Sequence, residues 1–310
     1  MKKLSGNLLL LAAAFIWGIA FVAQSAGMDY IEPFTFQACR WLLGAGALLP
    51  LALYRAKRAG GRQTMPALWR DRAANLLKGG ALCGTVLFIA GGLQQMSLVS
   101  VSAGKAGFLT ALYILIVPVF SLFLGKKVRP ALWVCIFTAF VGLYLLSIKE
   151  DLTITVHDLY LIGCAFVFAL HILLVDHFSP KVDGVSLSCL QFLVAGLLSG
   201  IMMLLTETPQ LCNILRAWAP LLYVGILSSG VAYTLQIIGQ KRTTPAIASL
   251  IMSLESVFAL LAGVVLLGEA PTAREIAGSA LMFAAILAAQ LVQLPPKPGI
   301  GTGRKTSRHA

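Results

Sequence analysis

Residues Pro245–Gly268, PAIASLIMSLESVFALLAGVVLLG, carry one charge in 24 positions, Glu255, near the middle. As a helix this stretch rises roughly 36 Å at ~1.5 Å per residue, enough for a hydrocarbon core of ~30 Å. In lipid only helices and closed barrels satisfy every backbone group, and no strand-like alternation competes here. The stretch therefore reads as a membrane-spanning helix. A glutamate at its centre is too short to reach either interface. It needs a polar partner, a water-filled cavity or a proton.

The same pattern occurs 143 positions earlier. Ser102–Gly125, SAGKAGFLTALYILIVPVFSLFLG, aligns without gaps, with a small-residue start, one early lysine and a Leu-Gly end. At an offset of 151, NLLLLAAAFIWGIAFV from Asn7 falls on DLYLIGCAFVFALHIL from Asp158, and Arg40-Trp41 falls on Gln191-Phe192. Ten apolar segments follow, near 7–26, 34–54, 76–97, 102–124, 131–148, 158–176, 186–206, 218–239, 246–267 and 274–293. The expected fold class is an all-α membrane protein with about ten transmembrane helices in two five-helix repeats. Five is odd, so the second copy enters the membrane from the opposite side. The repeats are expected over 1–150 and 151–294, with 295–310 (PPKPGIGTGRKTSRHA from Pro295) as a disordered basic cytoplasmic tail. Inverted repeats are typical of alternating-access carriers with a midplane site.

Charge sets the orientation. The chain is 58% hydrophobic and 12% charged, about half the charged share of soluble domains. With the N terminus inside, 19 of the 24 basic residues lie on the cytoplasmic side, three outside and two within helices. Acidic residues lean outward. This positive-inside bias places both termini in the cytoplasm and explains the net charge of +12 without a nucleic-acid partner. Lys2-Lys3 followed by Leu8–Val22 resembles a signal peptide, but the first segment has a repeat counterpart at 158–176, which argues against cleavage. The basic loop 55–78 suggests a short interfacial helix around Met65–Leu77 that touches anionic lipid. The six cysteines form no CxxC pair and read as small core hydrophobes. No metal site or cofactor is implied.

The chain resembles the drug/metabolite transporter superfamily, specifically its EamA-family permeases, over roughly 7–293. SLESVFALLAGVVLLGE, Ser253–Glu269, is similar to the family's Leu-Glu-Pro-Val-Phe run leading to Leu-Gly-Glu, matching at Glu255, Val257, Phe258, Leu267, Gly268 and Glu269. Ser256 stands where proline is usual. In the first repeat Lys126 replaces the closing glutamate, and Pro118 lies five residues later than the usual proline. The resemblance implies two five-helix repeats and a carrier; it does not specify a substrate.

Several polar residues inside the apolar segments can carry function. Glu255 can bind a proton, a cation or a substrate amine, or serve as a packing group with a fixed partner. Arg40 can anchor a carboxylate or phosphate, or snorkel to the outer headgroups; Lys105 faces the same alternatives. His171 can relay protons or hydrogen-bond within the bundle. Gln94, Gln95, Gln236 and Gln240 lie in corresponding helices and can bind solute or link helices. Trp17, Trp41, Phe15 and Tyr113 can line a cavity or simply pack. Pro118 should bend its helix and is a gating candidate. Gly80, Gly84, Gly196 and Gly200 suit close helix crossings. No hydrolase, zincin or Walker motif appears, so no enzyme is expected.

The leading expectation is a secondary transporter exporting a small metabolite, amino acid or drug from a bacterial inner membrane, driven by a proton gradient coupled through Glu255 or by the solute's own gradient. An uptake permease or facilitator for a sugar- or nucleotide-like solute is the rival within transport. A non-transporting membrane enzyme or sensor is the rival outside it. Expected partners are a small-molecule substrate and membrane lipid; a homodimer stays open.

Overall fold

A backbone in lipid must satisfy its own polar groups, and the described residues do so with helices. The computed structural model describes residues 2–60, 66–147, 155–267 and 270–292, and every regular element among them is helical. The elements are α1 (Lys2–Gly27), α2 (Pro33–Gly60), α3 (Pro66–Ser97), α4 (Ala103–Ala111), α5 (Tyr113–Phe123), α6 (Pro130–Ser147), α7 (Val156–Phe178), α8 (Gly184–Thr206), α9 (Leu211–Arg216), α10 (Trp218–Leu222), a π-helical stretch (Tyr223–Tyr233), α11 (Thr234–Gln240), α12 (Pro245–Met252), α13 (Glu255–Leu267) and α14 (Ala273–Val292). Among the described residues they make nine spans of membrane length plus the shorter Pro130–Leu146. Each of the ten expected segments falls on one of them.

Three spans are discontinuous: α4–α5, α10–α11 through the π stretch, and α12–α13. The first and last are the repeat-related segments, and both break at the same kind of tight turn. Leu112 (φ −55°, ψ −17°) separates α4 from α5, and Ser253 (φ −62°, ψ −13°) ends α12. Bonds of the 3₁₀ type replace the regular ladder there, Leu115 N to Leu112 O at 3.0 Å and Leu254 N to Ile251 O at 3.2 Å. In α12 the cause is local. The hydroxyls of Ser249 and Ser253 donate to carbonyls three residues back, Ala246 O at 3.0 Å and Leu250 O at 2.8 Å. The first break precedes Pro118 by six residues, so the helix is interrupted at Leu112 and α5 continues through the proline.

The inverted repeat also governs packing. Where α1 begins (the near end of the bundle), Arg55 at the end of α2 pairs with Asp183, the N-cap of α8, at 3.0 Å. Burial alone would push the Asp183 carboxyl up; the Ser186 amide and Arg55 outweigh it and hold it below the usual carboxylate range. At the far end, Glu207 at the end of α8 accepts from the amides of Phe34 and Thr35 in the first turn of α2, at 2.7 and 2.6 Å. The antiparallel pair α2–α8 is thus pinned at both ends by repeat-related contacts. On the other flank α6 and α14 cross at Gly142 and Gly278. A Cβ on Gly278 would stand 2.5 Å from the Gly142 carbonyl oxygen.

The exterior is apolar, with Leu197, Ile201, Leu204 and Leu205 exposed along α8, while seven glutamines are buried among the described residues. This inside-out polarity suits a bilayer. Two expectations are corrected. The short interfacial helix near Met65–Leu77 is instead the start of α3, which runs unbroken from Pro66 to Ser97; Met65 itself lies outside the described residues. Gly80, Gly84 and Gly196 do sit at close crossings, facing Leu190, the Gln191 carbonyl and Leu42, but Gly200 faces open space. The expected tail from Pro295 and the boundary between the repeats at 150/151 lie outside the described residues.

Candidate functional site

The two matched helix breaks meet at the centre of the bundle. Tyr113 is the first residue of α5 and Glu255 the first of α13. The Tyr113 hydroxyl donates to Glu255 Oε1 at 3.0 Å. One repeat therefore bonds the other's carboxylate through residues whose positions the breaks set. Ser256 adds a second tie, its hydroxyl donating to the Gly107 carbonyl of α4 at 3.3 Å. On the opposite side of α13, Gly18 lets α1 close in. A Cβ there would stand 2.7 Å from the Glu255 carbonyl oxygen and 2.5 Å from Phe258 Cβ.

Tyr113 and Glu255 line a cavity of about 40 Å³. One water needs roughly 10–15 Å³ of such space, so this conformation admits about three waters and must widen to take a solute. Arg40, His171, Gln94, Gln236 and Trp17 line the same cavity. The structure thus brings together seven of the eight residues singled out for binding or coupling. Lys105 does not join them. It reaches 2.8 Å across to Asp158, which also forms the capping box that starts α7 with Thr155.

Arg40 is 2% exposed, which excludes the snorkelling alternative. Its Nη1 donates to Gln24 Oε1, and its guanidinium lies 3.9 Å from the centroid of the Trp41 ring. The repeat supplies the counterpart. Gln191 accepts at 3.1 Å from His171 Nε2, so that nitrogen carries the hydrogen and Nδ1 is left without a partner among the described residues. Arg40 is tied to α1 and Gln191 to α7, the two first helices of the repeats. Trp41 and Phe192, their neighbours, stack on each other with centroids 5.5 Å apart and planes 12° apart.

Tyr233 holds this floor together. It is edge-on to Trp17, Trp41, Phe192 and His171 at 4.8, 5.6, 5.7 and 6.0 Å. It closes the π-helical stretch, where i→i+5 bonding re-aims side chains. Trp17 Nε1 donates to the Ser228 carbonyl within that stretch at 3.4 Å. Gln94 donates to Thr110 Oγ1 at 3.2 Å, and Gln236 Oε1 has no partner among the described residues.

Gln24, Thr110, Ser228 and Tyr233 line the cavity and were not singled out from sequence. The alignment of Arg40-Trp41 with Gln191-Phe192 was the available signal for Gln191. A π-helical stretch has no signature in apolar periodicity, so Tyr233 had none.

The electrostatics are unusual. Arg40 and Glu255, one basic and one acidic, are buried ionisable side chains in one cavity, and neither forms an ion pair within 4 Å among the described residues. Buried ions are ordinarily paired or highly solvated, because uncompensated burial costs several kcal/mol per ion.

The comparisons with known proteins agree with this architecture. A solved crystal structure superposes with a TM-score of 0.75 over 93% of this chain and 97% of its own, at 21% sequence identity. An uncharacterized transporter of Archaeoglobus fulgidus is 28% identical over 292 residues, covering 94% of this chain and 87% of that protein. The profile of the EamA-like transporter family matches residues 4–148 and again 155–289. With nine spans of membrane length and one shorter apolar helix among the described residues, and the family pattern present in each half, the chain belongs to the EamA-like transporter family.

Proposed function

We propose that the protein is a secondary transporter that exports a small metabolite, amino acid or drug by alternating access, coupled to protons. It works in a bacterial plasma membrane with both termini cytoplasmic. One observation carries the reading: Arg40 and Glu255, both buried and neither ion-paired among the described residues, face one cavity between inverted repeats. A solute carboxylate or phosphate would take the Arg40 guanidinium, and an amine or a proton would take the Glu255 carboxylate. Gln94, Gln236 and His171 would orient the solute's polar groups, and Trp17 and Tyr233 its apolar part. Repeat-related breaks at Leu112 and Ser253 give each half a hinge at the depth of the cavity.

Thermal unfolding of the detergent-purified protein against amino acids, nucleosides, sugars and cationic drugs tests this. A ligand at about 100 times its Kd stabilises the native state by ~2.7 kcal/mol. The expected result is at least one anionic solute that raises the unfolding midpoint in the wild type and in Glu255→Gln and loses that effect in Arg40→Gln. A stabilising solute unaffected by either substitution would place binding elsewhere and contradict the proposal.

A further inference from the structure

Another cavity, of about 330 Å³, opens at the near end of the bundle, between the end of α5, the start of α12, the start of α6 and the end of α14. It lies apart from the central site. We infer that it is a binding site for one anionic phospholipid, with the phosphate held by Lys127, Arg129, Ser121 and the first turn of α12.

Local structure builds the polar wall. At the end of α5, Lys126 N bonds Ser121 O at 2.9 Å and Gly125 N bonds Leu122 O at 2.9 Å, with Gly125 in the left-handed region at φ 73°. This is a Schellman motif, and it turns the chain so that the following basic residues line the cavity. Lys126, standing where the family pattern has glutamate, is already paired with Asp176. Arg129 donates Nη1 to the Val292 carbonyl at 2.6 Å, which fixes its guanidinium at the wall. Lys127 is exposed and has no acidic partner within 4 Å among the described residues. Opposite, α12 begins at Pro245 with no side chain capping its first turn, so the positive end of that helix faces the cavity.

Ser121 gives the independent sign of a ligand. It is 2% exposed, lines the cavity, and its hydroxyl has no partner among the described residues. Apart from Thr244, the rest of the wall is apolar, including Val128, Leu132, Ile247 and Val292. Beside it Leu122, Phe123 and Leu124 are exposed toward the lipid, Phe123 by 84%. A basic pocket continuous with an acyl-facing surface matches a phospholipid better than a free anion.

The test is thermal unfolding of the full-length protein in detergent with added phosphatidylglycerol, phosphatidylcholine or inorganic phosphate. Phosphatidylglycerol should raise the midpoint by several degrees over phosphatidylcholine, and phosphate at equal concentration should not. Lys127→Gln, an exposed substitution that leaves the fold intact, should raise the phosphatidylglycerol concentration for half-maximal effect about fivefold, the equivalent of ~1 kcal/mol for one basic residue at an anionic headgroup. Ser121→Ala should weaken it further. Equal stabilisation by both lipids, equal stabilisation by phosphate, or an unchanged response in Lys127→Gln would each overturn the inference.

Discussion

Glu255→Gln is expected to abolish solute accumulation driven by an imposed pH gradient in proteoliposomes, to the level of protein-free controls, while passive exchange of the same solute continues. The reasoning starts from burial. Glu255 is 5% exposed, and among the described residues its carboxyl's only hydrogen bond comes from Tyr113 and no cationic side chain lies within 4 Å of it. A carboxyl so placed changes its interactions strongly when it gains or loses a proton. Glutamine keeps the shape and can still accept from Tyr113, so the bundle should fold, but it cannot carry a proton between the two faces. Tyr113→Phe should retain accumulation and displace the pH at which it is half-maximal, because it removes a hydrogen bond that is stronger to the carboxylate than to the protonated acid. Uphill movement retained in Glu255→Gln would contradict proton coupling through this residue.

The second large effect concerns the frame. Gly278→Val should destabilise the protein by about 3 kcal/mol, toward the upper end of overpacking costs. The Cβ would stand 2.5 Å from the Gly142 carbonyl oxygen and 2.6 Å from Leu146 N. Both are backbone atoms, so no side chain can rotate away and the two helices must separate. Gly46→Ala is the control. Its Cβ meets nothing within 4 Å, and alanine is the better helix former by about 1 kcal/mol. The unfolding midpoint in detergent should fall sharply in the first variant and hold or rise in the second. An unchanged midpoint in Gly278→Val would show that α6 and α14 do not cross as described.

Much of this was legible in the sequence because lipid removes most alternatives. Apolar length alone dictates a helix, and the odd number of helices per copy dictates inversion. Buried polar residues were equally readable, since Glu255, Arg40, His171, Gln94 and Gln236 have no soluble surface to occupy and converge on the central cavity. The misses have physical reasons. Lys105 was ambiguous because its partner, Asp158, is 53 positions away and joins α4 to α7 only in three dimensions. Pro118 drew attention to a bend, yet the interruption falls at Leu112, where neither proline nor glycine marks it. The crossing at Gly278 was invisible because Arg274 and Met282 stand four residues to either side, so no small-residue spacing flags it. The π-helical stretch that delivers Tyr233 depends on packing against α2, where Gly44 and Gly225 allow close approach.

The account rests on one claim, that the cavity containing Arg40 and Glu255 is the solute path and opens alternately to the two faces. Ser228→Cys, in a background with the six native cysteines replaced, places a thiol in that cavity. Its reaction with a membrane-impermeant thiol reagent should be measured from each side of sealed vesicles, with and without a solute identified by stabilisation. The account predicts labelling from both sides, with solute changing the two rates in opposite directions. Labelling from one side only, at a rate indifferent to solute, would contradict it.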